Sequence, residues 1–127
     1  ITDGDIAGAL SVIGDQPKND IYYSTGGGPE GVIVAAALSC YGGQIQGRLV
    51  LNEEEKVRAK KLGIKDFNKK YNIDDMVKGD IIFCATGVTS GDLANGVKDL
   101  GNEFEVNTFS LHKSQKIIKS VTNIYNK

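Results

Sequence analysis

Residues 20–43 read DIYYSTGGGPEGVIVAAALSCYGG, and how this stretch divides decides the fold. Asp20 to Ser24 is short, aromatic and β-branched, follows the Pro17 turn, and runs straight into Gly26-Gly27-Gly28-Pro29, which predicts a strand ending in a glycine loop. From Glu30 to Tyr41 the sequence is apolar on nearly every face and stops at Gly42-Gly43, as a buried helix does with Pro in its first turn and Gly past its end. The unit is strand, loop, buried helix.

On its N-terminal side, Ile6 to Ile13 carries a helical apolar pattern that Asp3 or Asp5 would open. On its C-terminal side, Gln44 to Leu51 reads as a strand. Asn52 with Glu55 then forms a capping-box pair for a helix ending near Lys60, Lys61 and Gly63. A turn at Asp74 to Val77 precedes Asp80 to Ala85, a near-continuous apolar strand of the kind buried on both faces. That strand leads into Thr86 to Asp92, after which Leu93 to Leu100 reads as a possible helix. Glu105 to Leu111 and Ile117 to Ile124 form a closing hairpin about Lys113-Ser114-Gln115. Strands and helices alternate without repeat or linker. The expected fold is one α/β layered domain over residues 1–127, a mixed β-sheet flanked by helices.

Composition narrows the function. The chain has 127 residues, enough for one core that buries roughly two thirds of the unfolded surface. A net charge of -1 leaves no large positive field, so neither nucleic acid nor an anionic membrane is an expected partner. No apolar run approaches the ~20 residues that span a bilayer and no signal-peptide pattern is present, which together suggest a soluble cytoplasmic protein. Cys40 and Cys84 lie in apolar patterns beside one His in the whole chain, so both are expected to be reduced core thiols and zinc is excluded. The sequence opens Ile1-Thr2-Asp3 without an initiator Met and with a charged motif at its edge, which predicts further sequence upstream.

Three places combine tight turns or carboxylates with an expected helix start: Asp3-Gly4-Asp5, Gly26 to Gly31, and Thr86 to Asp92. Free backbone N–H groups and the helix dipole suit an anion such as phosphate at each. Placed beyond the strand ends of one sheet, they predict one cleft. Glu30 projects a carboxylate that a hard divalent cation would accept, although it equally complements the helix dipole. Asp3 and Asp5 flank a glycine and can face one ligand, or merely cap a helix. The glycine loop lacks the Gly-Lys-Ser/Thr of a nucleotide phosphate loop and the spacing of dinucleotide sites. Arg48, His112 and the lysine-rich stretch from Lys56 to Lys70 read as surface residues.

The ordered set Asp3-Gly4-Asp5-Ile6-Ala7-Gly8-Ala9, Gly26-Gly27-Gly28-Pro29-Glu30-Gly31, Gln46-Gly47-Arg48-Leu49, Lys78-Gly79-Asp80, Ala85-Thr86-Gly87-Val88-Thr89 and Gly91-Asp92-Leu93 resembles the class II fructose-1,6-bisphosphatases of bacteria. These belong to the lithium-sensitive, metal-dependent phosphatase superfamily. The resemblance covers nearly the whole chain and is specific as a combination. It implies the C-terminal half of a sugar-phosphatase fold, with Asp3, Gly4, Asp5 and Gly27 binding substrate and Glu30 binding a metal, Mn²⁺ or Mg²⁺. The implied reaction is hydrolysis of the C1 phosphate of fructose 1,6-bisphosphate to fructose 6-phosphate, a step of gluconeogenesis, by a homo-oligomeric enzyme. The family's other metal-binding acids lie in an N-terminal region that precedes the matched part. No catalytic residue is assigned here, and the chain alone is expected to be inactive. Gly28 departs from the Ala that relatives often carry before the Pro. Two alternatives stand beside this reading: a stand-alone regulatory module that binds a phosphorylated metabolite, and sedoheptulose-1,7-bisphosphatase activity in the parent enzyme.

Overall fold

The computed structural model describes residues 5–14 and 16–127, without the side chain of Asp5. Helix α1 (Asp5–Leu10) is shorter than the pattern through Ile13 suggests. Ser11 ends it: its Oγ donates to Gly8 O at 2.6 Å, and its own carbonyl accepts the N–H groups of Lys18 and Asn19 at 2.9 and 3.3 Å. A hydroxyl that bonds back onto the preceding turn competes with helix continuation in this way. Helix α2 (Gly28–Tyr41) follows the sequence reading, with Pro29 in its first turn and Gly42 at φ 76°, a left-handed conformation that glycine adopts without strain. Val34, Ala35, Ala37 and Leu38 are buried, whereas Val32 and Ile33 remain partly in solvent.

A two-stranded ribbon joins β1 (Gln46–Arg48) to β2 (Lys70–Asn72), antiparallel, with α3 (Glu53–Lys61) between them and α4 (Ile73–Met76) after. The Asn52–Glu55 capping box is present as read: Glu55 N–H donates to Asn52 Oδ1 at 2.9 Å, and Asn52 N–H donates to Glu55 Oε2 at 2.8 Å. The main sheet contains β3 (Ile82–Thr86), β4 (Lys98–Asp99), β5 (Glu103–His112) and β6 (Ile117–Asn126). All three other strands pair with β5, each antiparallel. Because β6 runs along the whole of β5 from Glu103 to His112, β3 and β4 lie end to end on its opposite edge. Helices α1 and α2 pack on the sheet face carrying Phe83 and Leu111, and these elements form one core with Leu10, Val34 and Leu38. The layered α/β fold expected from the sequence is the one observed.

Of the strand expected over Gln44 to Leu51 only Gln46–Arg48 forms, and three further local expectations differ. Asp20 to Ser24 forms no strand among the described residues; Tyr23 is 92% exposed, and within this stretch only Tyr22 packs against the core. Strand β3 is not buried on both faces, because helices cover one: Phe83 is buried, Ile82 is 68% exposed, and Cys84 is exposed rather than a core thiol. Leu93 to Leu100 forms no helix. Asn95-Gly96 breaks it, and the chain turns back so that Val97 N–H donates to Val88 O at 3.2 Å. No helix among the described residues is long and apolar enough to cross a membrane.

Candidate functional site

Gly27 caps the N-terminus of α2 with an extended backbone, φ -70° and ψ 150°, and Gly31 N–H donates to its carbonyl at 3.1 Å. Glu30, three residues on, sits in the first helical turn, where a carboxylate is favoured by the free N–H groups and the dipole. Its side chain folds back over the loop: a Cβ built on Gly27 would overlap Glu30 Oε2. Absence of a side chain at 27 is therefore what gives the carboxylate its place.

The N-terminus of α2 lies at the same end of the domain as the last residues of β3. Between them opens a cleft of about 550 Å³, within the size range of small-ligand sites. Ala7 of α1, Glu30 and Ile33 of α2, Cys84 and Ala85 of β3, and Leu93 line it. Glu30 is the charged residue among its described lining, and the walls are otherwise apolar apart from the Cys84 thiol, which donates to Ser110 Oγ at 3.6 Å. Glu30 itself is exposed, so solvent screens the electrostatic contacts its carboxylate makes. A smaller cavity of about 220 Å³ lies on the other side of α1, sharing Ala7 and Leu93, and is bordered by the Lys18–Asp92 ion pair at 2.7 Å.

Of the residues the sequence nominated, Glu30 lines the cleft, and Gly27 lies against its carboxylate. Asp3 and Gly4 lie outside the described residues; Asp5 opens α1, two residues before Ala7, which lines the cleft, and its side chain also lies outside the description. The loop from Thr86 to Asp92 approaches the cleft through its neighbour Leu93, but it is not a strand-to-helix turn. Arg48 sits on the separate β1–β2 ribbon opposite Lys70. Among the described residues no three His, Cys, Asp or Glu side chains cluster as a metal cage. Glu30 thus fits one ligand position of a hard cation, which commonly takes one or two carboxylates and completes its shell with phosphate and water. Burial pushes the Cys40 thiol above its ordinary pKa, in keeping with an unreactive group against the core.

Two polar centres escaped the sequence reading. His112, expected at the surface, is largely covered and places Nε2 2.8 Å from Asp80 Oδ2; Ser114 Oγ donates to the same oxygen at 2.7 Å. Partners 32 and 34 residues apart leave no local signal. Asn107, in the middle of β5, is the buried polar residue among those described. Its signal was available, because Asn is depleted in strand interiors and here sits in the middle of an expected strand.

Comparison with known proteins converges on one family. A family model described as bacterial fructose-1,6-bisphosphatase, glpX-encoded, matches residues 1–125. The chain is 36% identical over 123 aligned positions to fructose-1,6-bisphosphatase 2 class 2 of Escherichia coli (strain K12), covering 85% of this chain and 38% of that protein. It is 33% identical over 140 positions to fructose-1,6-bisphosphatase class 2 of Haemophilus influenzae, covering 98% and 42%. It is 34% identical over 141 positions to D-fructose 1,6-bisphosphatase class 2/sedoheptulose 1,7-bisphosphatase of Synechococcus sp. (strain JA-3-3Ab), covering 100% and 41%. The chain spans about two fifths of the length of these curated relatives.

Proposed function

We propose, for a chain that belongs to the bacterial fructose-1,6-bisphosphatase family, that it supplies the sugar-facing side and one metal-binding carboxylate of a phosphatase acting on fructose 1,6-bisphosphate. The reaction is hydrolysis of the C1 phosphate to give fructose 6-phosphate, in gluconeogenesis. The observation that carries this reading is the placement of Glu30 over Gly27 at the mouth of the cleft between α2 and β3. Gly27 contacts the substrate and, having no side chain, leaves room for the Glu30 carboxylate, which holds a divalent cation from the first turn of α2. Asp3, Gly4 and Asp5 orient the sugar by accepting hydrogen bonds from its hydroxyls. Mn²⁺ or Mg²⁺, when bound, supplies charge neutralisation at the phosphoryl oxygens and a more acidic water. The reading includes a cytoplasmic, homo-oligomeric enzyme of which this chain is the C-terminal part, and the chain by itself is expected to release no appreciable phosphate.

The test is Glu30→Gln in the full-length phosphatase. Wild type should require Mn²⁺ or Mg²⁺, and the variant should lose activity by roughly two orders of magnitude; an unchanged rate removes Glu30 from the mechanism. The printed name of the Synechococcus relative favours a second reading, in which sedoheptulose 1,7-bisphosphate is also hydrolysed. Parallel phosphate-release assays on both sugars decide it. A stand-alone module that binds a phosphorylated metabolite is the remaining alternative, motivated by glycine loops that suit a phosphate while the described residues hold no carboxylate cluster for a metal. Catalytic turnover in the full-length protein would dismiss it.

A further inference from the structure

Strand β3 ends at the Thr86–Thr108 pair and β4 begins at Lys98–Glu105, so the shared edge of β5 is interrupted opposite Val106 and Asn107. Residues 87–97 leave the sheet through this notch. Asn107 fastens them there. Its main-chain carbonyl accepts Gly87 N–H at 3.1 Å, and its side-chain Oδ1 accepts Asn95 N–H at 3.1 Å. Its Nδ2 donates toward β6, to Ser120 Oγ at 3.0 Å, Thr122 Oγ1 at 3.2 Å and the Val121 carbonyl at 3.4 Å. Burying an amide is costly unless it is satisfied, and here both ends of the carboxamide are occupied. The side chain takes over the bonding of a neighbouring strand at the point where that strand is missing.

The loop itself is tightly closed. Gly91 N–H donates to Ala94 O at 3.0 Å and Gly96 N–H to Ser90 Oγ at 2.9 Å, while a Cβ at Gly87 would overlap the Asn95 carbonyl and one at Gly96 would press on Ser90 N. Its tip is tied to the segment after α1 through Asp92 and Lys18, and Leu93 projects into the cleft that carries Glu30. We propose that Asn107 is a positioning residue for sugar-phosphate binding, holding residues 87–97 so that Leu93 lines the cleft that carries Glu30. This rests on the phosphatase reading above.

Steady-state kinetics of the full-length phosphatase test it with three variants. Asn107→Ala removes the Asn95 bond, and Gly96→Ala disturbs the loop from its other side. Each should raise KM for fructose 1,6-bisphosphate roughly tenfold while kcat changes less than about threefold. Asn107→Ser keeps an uncharged side-chain oxygen that can accept from a nearby N–H without burying a charge, so its KM should fall between those of Ala and wild type. A fall in kcat at constant KM, as a smaller folded fraction gives, overturns the proposal, as does a Ser variant no better than Ala or an unchanged KM in Gly96→Ala. If wild type hydrolyses no sugar bisphosphate, the phosphatase reading fails and takes this proposal with it; an active enzyme whose KM ignores these changes sinks this proposal alone.

Discussion

At Gly27 the space that a side chain would occupy is already filled by the Glu30 carboxylate. The backbone there is ordinary, so Gly27→Ala should cost the fold little and instead push the flexible carboxylate aside. The expected result in the full-length phosphatase is a roughly tenfold higher Mn²⁺ concentration at half-maximal activity, with Tm shifted by less than about 2 °C. Asp80 is the second residue whose chemistry is set by its contacts. It accepts from Ser114 Oγ and His112, and from the N–H groups of Ser114 and Ile81, both at 3.0 Å. The Ser114 and His112 bonds hold its carboxyl far below the ordinary value of 3.8. A depressed folded-state pKa contributes stability above the unfolded value and loses it as pH falls through the folded one. Asp80 is half exposed, so solvent screening keeps the effect modest. Tm of wild type should exceed that of Asp80→Asn above about pH 5, and the difference should shrink toward zero below about pH 3. A pH-independent difference would disprove the assignment.

Helix α3 shows how an element can be legible without being buried. Its side chains are mostly charged and only Ala59 is buried, so the Asn52–Glu55 box, the early glutamates and the late lysines define it, all visible in sequence. Asn52→Ala should cost about 1 kcal/mol locally, read as faster amide exchange across residues 53–61. The misread elements failed for the opposite reason. Asp20 to Ser24 has strand-forming residues, but a strand exists only where another edge is offered, and sequence composition cannot name that edge. Leu93 to Leu100 carries an apolar pattern, yet its backbone bonds go to Val88 and Asn107, a long-range competition that outweighs helix propensity. The place of Glu30 in the first turn of α2 was legible because Pro29 marks that turn, whereas its carboxylate folding over Gly27 was not, and the Asp80–His112–Ser114 contact depends on the β3–β5 register.

For the molecule as a whole, Leu111 is, among the described residues, the fully buried large side chain, at the crossing of β3, β5, β6 and α2. Leu111→Ala should destabilise the domain by about 2–5 kcal/mol in a denaturant titration, while the same change at exposed Leu62 should be nearly silent. The layered class was readable because helical and strand periodicities alternate along the chain. The end-to-end placement of β3 and β4 was not, since it is fixed by where β5 meets each of them. That dependence on β5 also bears on how the chain is made. A ribosome delivers Ile82 long before Ile82 can meet His112, and at about 5–20 residues per second the apolar β3 segment waits on the order of seconds without its partner. During that interval nascent chains on one message are exposed to each other through an unpaired hydrophobic strand, so yield in the cell should respond to chaperone supply and to translation speed between codons 86 and 112.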